Sequence, residues 1–264
     1  MKQPYGWNVC VPRETTQGAW QVEQELALLK PDRWMDWHYQ PLADAPNFTP
    51  MVWGAPLDVT AIQARMLAYP GECWMLMNEP ENDWQARLNP AQAVDLTRQF
   101  LRAGWDVDAE FNWCAPNCAV NMYPDDEAWP KEYMRLLRLG GINRPSVYGI
   151  HGYHSTDRRM VQVLWRKVEQ WRGSKGWMGQ DAPIVITEAC AENEPYAAQV
   201  EVMDELFVLL KRGAVKGVYW FSTHAAGVSV WPNACLTEFD PNTPNTVRLT
   251  ALGKHWVALK NTVD

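Results

Sequence analysis

Two apolar segments of the chain each run into a carboxylate. In WMLMNEPEN, residues 74–82, four apolar residues lead straight to Asn78, Glu79 and Pro80, and in PIVITEAC, residues 183–190, the run carries Glu188. An unbroken apolar run bounded by turn residues, here Pro70, Gly71 and Pro80, reads as a short strand buried on both faces, as strands of a parallel sheet are. Both glutamates then stand at carboxyl ends of strands. A (β/α)8 barrel gathers such ends onto one rim however far apart they are in sequence. Two carboxyl groups on that rim suit glycoside hydrolysis with retention: one protonates the departing oxygen, the other attacks the anomeric carbon, and they sit about 5–5.5 Å apart. Either glutamate alone could equally make a rim salt bridge; the pair at matching strand ends is what points to catalysis.

Other side chains fall near these ends. The amide of Asn78 could hydrogen-bond a sugar hydroxyl, or make an Asx-type bond to the turn at Pro80. In VYGIHGYH, residues 147–154, His151 and Tyr153 are two apart and so share one side of a strand. A Tyr153 hydroxyl on Glu188 would favour the ionised carboxylate, whereas His151 could also be a satisfied core histidine. Trp220 ends the run GVYWFS, and Trp53, Trp84, Trp129 and Trp231 are strand-end or loop-side aromatics that either extend a groove or fill the layer between helices and barrel. Glu81 and Glu192 read as loop or rim charges. The set Glu188, His151, His154 and Asp157 raises a metal-dependent hydrolase. The first strand, however, offers Asn8 and Cys10 where a metal barrel has H-x-H, and there is no H-E-x-x-H. No metal and no cofactor are expected.

The order of these motifs resembles the clan A glycoside hydrolases. Within the clan, TPMVWG (49–54), MNEPEN (77–82), VYGIHGYH, IVITEAC and VYWF are similar to glycoside hydrolase family 128, the fungal and bacterial β-1,3-glucanases. The resemblance implies a (β/α)8 barrel with Glu79 as acid/base after the fourth strand and Glu188 as nucleophile at the seventh. It also implies Asn78 on the sugar 2-hydroxyl, His151 and Tyr153 beside the nucleophile, Trp220 as the aromatic floor, and a β-glucan polysaccharide or oligosaccharide as partner. The chain departs from the family pattern at Met77, where an aromatic is common, and at Glu81, where Asp is usual; Asp36 and Trp37 echo the strand-two motif only loosely. Two rivals stay open: the same chemistry on another β-glycan, and a non-catalytic carbohydrate-binding barrel.

The elements that must position these residues alternate, the mark of a parallel α/β fold. Strands are expected at 5–10, 34–39, 50–53, 74–77, 110–116, 146–154, 183–190 and 215–221. Helices are expected from about Gly18 to Leu29, from Thr60 as cap, from Asn89 and Pro90 as cap and first turn, around Trp129–Leu136, from about Thr156, from Tyr196 to Arg212, and from Leu249 to Leu259. The stretch from Ser222 to Thr246 is long for a connection and reads as a functional loop over the mouth.

Length 264 suits one barrel, so residues 1–264 form a single domain, expected to be monomeric. A formal charge of −7 argues against nucleic acid, and no apolar run approaches a membrane span. Sixteen tryptophans are many for this length and suit the flat faces of sugar rings. MKQPYGW has no basic region leading into an apolar one, so no secretory signal is read and the six cysteines (10, 73, 114, 118, 190, 235) are expected reduced.

Overall fold

The structure is a computed structural model and describes residues 4–114, 116–119, 127–153, 156–173, 177–178, 182–224 and 231–262. Eight short parallel strands form its centre: β1 Gly6–Cys10, β2 Trp34–Met35, β3 Met51–Val52, β4 Cys73–Leu76, β5 Asn112–Cys114, β6 Tyr148–His151, β7 Ile184–Ala189 and β8 Gly217–Trp220. They pair in two ladders, β2-β1-β8-β7-β6 and β3-β4-β5. The ladders abut at both edges through single parallel bridges, Trp34 to Phe48 on one side and Cys114 to Val147 and Cys118 to Ile150 on the other. The strands thus run round in chain order as a (β/α)8 barrel whose ladder is interrupted at two seams.

Alternation along the strands divides the core in two. Inside the barrel lie Cys10, Met35, Met51, Cys73, Met75, Cys114, Val147, Val185 and Tyr219. The alternate residues, such as Trp7, Val9, Trp74, Leu76, Ile150, Ile184, Ile186, Val218 and Trp220, face outward and pack under the helices. Those helices are α1 Ala19–Leu29, α2 Val59–Ala68, α3 Pro90–Asp106, α4 Ala128–Leu139, α5 Arg158–Arg172, α6 Tyr196–Lys211 and α7 Ala251–Lys260. None is long and apolar enough to cross a membrane.

Four of these helices, α2, α3, α5 and α7, start at side-chain caps. Asn89 and Gln92 form a reciprocal capping box with Pro90 in the first turn of α3, and Thr250 caps α7 through the amide of Gly253. Two starts differ from the sequence reading. Asp58, not Thr60, caps α2, its carboxylate accepting from the Ala61 amide. Asp157 caps α5 through the amides of Arg159 and Met160, and this use of its carboxylate removes it from the site.

Two connections are irregular. Residues 36–50, all described, hold no helix, so the crossover from β2 to β3 is made by loop alone. The stretch after β8 is only partly loop. It contains a 3-10 turn at Pro232–Ala234 and an antiparallel hairpin, β9 Thr237–Phe239 with β10 Val247–Leu249. The hairpin packs on α1, where Gln24 accepts from the Val247 amide and Thr237 donates to Glu25. The hairpin of this segment therefore belongs to the wall beside α1; residues 225–230, which the expected loop over the mouth includes, lie outside the described residues.

Candidate active site

Glu79 follows β4 on a sharply turned backbone, with φ of +60° at Met77 and +40° at Glu79, a region costly for residues with a Cβ. The turn is braced from β5: the Glu79 amide donates to the Asn117 carbonyl at 2.9 Å, and the Asn117 side chain donates back to the carbonyls of Leu76 and Met77. A Cβ on Gly149 would stand 2.1 Å from the Asn117 side-chain oxygen, so glycine at that position is what lets the brace approach β6.

Glu188 reaches the same place by a different device. Plain alternation from Val185, which faces the lumen, would turn residue 188 outward with Ile184 and Ile186. The register of β7 shifts against both neighbours, between Ile150 and His151 on one side and between Ile186 and Ala189 on the other. Such an irregularity re-aims a side chain, and Glu188 meets the residues of the rim.

The two carboxylates are joined by His151. Its Nδ1 lies 2.8 Å from Glu79 Oε1 and its Nε2 is 3.5 Å from Glu188 Oε1, close enough for charge attraction but not in hydrogen-bonding geometry. One oxygen of each glutamate and one nitrogen of His151 all lie within 4.8 Å of each other. Burial opposes a charged imidazole, but Glu188, the hydrogen-bonded Glu79 and Glu81 outweigh it and raise the His151 pKa to about 9. The surrounding carboxylates therefore favour a protonated imidazole between them.

Glu79 Oε2 accepts from the Asn82 amide at 2.9 Å. Glu188, 4% exposed, accepts from the Trp37 indole at 2.5 Å and from the Tyr153 hydroxyl. Burial raises the Glu188 pKa; the His151 cation opposes this, Glu79 adds to it, and the bonds from Tyr153 and Trp37 oppose it again. The arrangement can hold one carboxylate ionised beside a second that shares a proton with a histidine, which is the chemistry of a nucleophile and an acid/base.

The chain matches the profile of a family described as glycosyl hydrolase catalytic core over residues 23–255. It belongs to that family. Among solved structures, this glycosyl hydrolase is similar to the family 128 subgroup II endo-β-1,3-glucanase of Sorangium cellulosum, with 21% identity, a TM-score of 0.71, and 96% of this chain and 98% of that one covered. It is similar to the subgroup I endo-β-1,3-glucanase of Amycolatopsis mediterranei in complex with laminaritriose, at 20% identity and TM-score 0.67 over 97% and 99% of the two chains. It is also similar to the subgroup III curdlan-specific exo-β-1,3-glucanase of Blastomyces gilchristii, at 15% identity and TM-score 0.67 over 96% and 99%. No curated protein matches it in sequence.

Of the residues singled out from sequence, the fold of this glycosyl hydrolase gathers Glu79, Glu188, His151 and Tyr153 at one point. Trp231 joins them, its ring 5.2 Å from that of Tyr153. Trp53, 40% exposed, lines a cleft of about 210 Å³ together with Trp37, Tyr39 and Asp58. Asn78 is buried beside Glu79, its side-chain nitrogen donating to Gln85 while its Oδ1 has no partner among the described residues. Trp84 stands out in solvent, 91% exposed, and Trp129 donates to the Leu88 carbonyl beside a second cleft of about 430 Å³. His154 lies outside the described residues.

Trp220 is a correction. It is fully buried in the layer under the helices, with its indole donating to the Ala234 carbonyl at 2.8 Å. Tyr219 faces the lumen, so alternation sends Trp220 outward and returns Phe221 to the site, where its ring lies against Trp37, Tyr153 and Trp231. Glu81 is a second correction: both its oxygens are buried, and burial pushes its pKa up to about 7, with the Glu79 charge adding and the His151 cation opposing. Sequence reasoning missed Trp37, Asn82 and Phe221 as site residues. The signal for Phe221 was present in the two-residue period of β8, and Asn82 follows Glu79 at a turn spacing. For Trp37 the signal was the loose echo of the strand-two motif at Asp36 and Trp37.

Proposed function

We propose that this glycosyl hydrolase cleaves β-1,3-glucan within the chain and with retention of anomeric configuration. The observation that carries the reading is the Glu79, His151, Glu188 cluster, whose carboxylate oxygens lie within 4.8 Å. That spacing fits direct attack by Glu188 and is short of the roughly 6.5–9.5 Å that an inverting pair leaves for water. Glu188 attacks the anomeric carbon while the C–O bond to the departing sugar breaks, and Glu79 delivers a proton to that oxygen. The second step reverses the roles: Glu79 takes a proton from water, the water oxygen bonds to the anomeric carbon, and Glu188 leaves. His151, against Glu79 at 2.8 Å, holds the Glu79 carboxyl in place through both steps.

The substrate and the internal mode of cutting are supported by the motifs similar to family 128 and by the glucanases that share the fold, of which those from Sorangium and Amycolatopsis are named endo-acting. The half-exposed Trp53 and the aromatic set Trp37, Phe221, Tyr153 and Trp231 offer flat apolar faces for sugar rings. A product profile on β-1,3-glucan, β-1,4-glucan, mannan and xylan tests this. Oligosaccharides of mixed length from β-1,3-glucan alone, with the β-anomer appearing first by proton NMR, are expected. Release of monosaccharide only, preference for another glycan, or an α-anomer first would each overturn the corresponding part. Binding of glucan without any product would make the chain a binding barrel.

A further inference from the structure

The loop that replaces a helix between β2 and β3 carries Trp37, and Trp37 is bonded to Glu188. What holds that loop is not secondary structure. Parallel strands are ordinarily linked by a crossover helix, whose own ladder satisfies its backbone; here the backbone donors turn inward to one side chain. Asp36, 1% exposed, accepts from the Leu42 amide at 2.9 Å and the His38 amide at 3.3 Å, and from Arg13 Nη2 at 2.8 Å. The same Arg13 nitrogen donates to the Gln40 carbonyl. One carboxylate and one guanidinium thus tie residues 36, 38, 40 and 42 to the 3-10 turn Arg13–Thr15 that follows β1. Between these ties Trp37 sits at φ +60°, a conformation that tryptophan does not keep without such support.

We propose that Asp36 is a positioning residue for the nucleophile: paired with Arg13, it clamps the helix-less crossover so that the Trp37 indole N–H stays on Glu188. It touches no substrate and acts through Trp37. The inference rests on the reading of Glu188 as nucleophile for its effect on rate, but not for its effect on the indole. The charged group against Asp36 is Arg13, from the 3-10 turn, whereas His38, on its own loop, meets it through the backbone amide. Burial pushes the Asp36 pKa up to about 6 against the pull of Arg13 and the two amides. The clamp therefore carries its charge above about pH 6 and loses it below, so its grip slackens in mild acid.

The test reads Trp37 and the rate together. In protein labelled with 15N-tryptophan, the indole resonance that Trp37→Phe removes is identified, and its proton is expected downfield because it is bonded to a carboxylate. Asp36→Asn and Arg13→Gln should move it upfield, and in the wild type it should drift toward the Asp36→Asn position as pH falls through about 6. In the glucanase assay, loosening Trp37 raises the pKa of Glu188, since that bond favours the ionised form. Asp36→Asn is then expected to lower kcat/KM by up to about tenfold just above pH 6, where the wild-type clamp is charged, the loss of one hydrogen bond to a charged group, with a much smaller difference at pH 5, where the wild-type clamp has slackened too. The same substitution made in Trp37→Phe should have no further effect on the acid limb. Arg13 is on the surface side of the clamp, so Arg13→Gln keeps the test alive if Asp36→Asn does not fold. An unmoved indole in both variants, or equal effects of Asp36→Asn with and without Trp37, would overturn the clamp. A wild type that does not cut β-1,3-glucan yet shows the indole shifts would instead overturn the proposed function and leave the clamp standing.

Discussion

Replacing Tyr153 by Phe isolates one hydrogen bond at Glu188, the proposed nucleophile. Phe keeps the ring that lies edge-on to His151, Phe221 and Trp231 at 5.7, 5.4 and 5.2 Å, so packing changes little, and only the hydroxyl on Glu188 is lost. A hydrogen bond to a charged acceptor is worth roughly 1.5–3 kcal/mol. At about 1.36 kcal/mol per pKa unit, its removal should raise the Glu188 pKa by about one to two units. Glu188 is almost wholly buried, so solvent screening does not shrink this. The sign follows from the state each contact favours. Burial already holds the Glu188 pKa above its ordinary value, and the Tyr153 bond pulls it back down by stabilising the carboxylate. Without that bond the nucleophile stays protonated to higher pH, and the acid limb of kcat/KM should move up by about one to two units. Stability follows the same linkage. A carboxyl whose folded pKa is raised contributes stability at low pH that is lost as pH rises through the folded value. The variant should therefore match the wild type near pH 4.5 and fall behind it near pH 8. Rates from pH 4 to 9 with urea denaturation at both ends measure this. A limb that stays put or moves to lower pH in a folded variant would refute the reasoning.

Glu188→Gln should abolish turnover on every substrate, whereas Glu79→Gln should retain turnover of an activated aryl β-glucoside and regain rate with added azide; equal loss in both would remove the division of roles. Trp220→Ala should destabilise the fold by about 3–5 kcal/mol, as truncation of a buried tryptophan does, while Phe221→Ala should raise KM with a smaller change in melting temperature; the opposite ranking would restore Trp220 as the sugar platform. The His151 pKa is raised to about 9. Its stabilising contribution is full below about pH 6.5 and is lost as pH rises through about 9. The urea midpoint of the wild type should fall across that interval, and the fall should shift to lower pH in His151→Asn, where carboxylates alone share the proton. An identical profile in the two proteins would separate His151 from the cluster's titration.

Strand order and the two glutamates were legible because buried parallel strands write themselves as apolar runs, and a carboxylate at the end of such a run stands out. The Tyr153 contact was legible too, since two residues apart on a strand means one side. What failed was anything that depended on where regular alternation stops. Trp220 reads as the strand's inward end, but the lumen side of β8 belongs to Tyr219 and Phe221. Glu81 reads as a loop charge by position, and only the fold shows that its oxygens are buried. Glu188 is the reverse case: strict alternation would have turned it outward, and the register shift in β7 that corrects this leaves no mark in composition. Trp37 depends on a left-handed backbone held by Asp36, and a contact between residues 13 and 36 has no local signature.

The barrel's interior is lined with sulfur: Cys10, Cys73 and Cys114 face it beside Met35, Met51 and Met75, and the remaining cysteines, 118, 190 and 235, are also free and buried. Burial pushes the Cys73 thiol up to about 12 and that of Cys235 to about 11. Alkylation requires the thiolate and a path to it, so in the folded state these six groups are closed to a reagent on both counts. The molecule therefore carries a built-in clock for its own opening. Labelling by iodoacetamide, followed by mass spectrometry, should count unfolding events rather than surface chemistry. Cys235, beside the hairpin and 8% exposed, should mark local fraying first, and the three lumen cysteines should become labelled together only when the strands part.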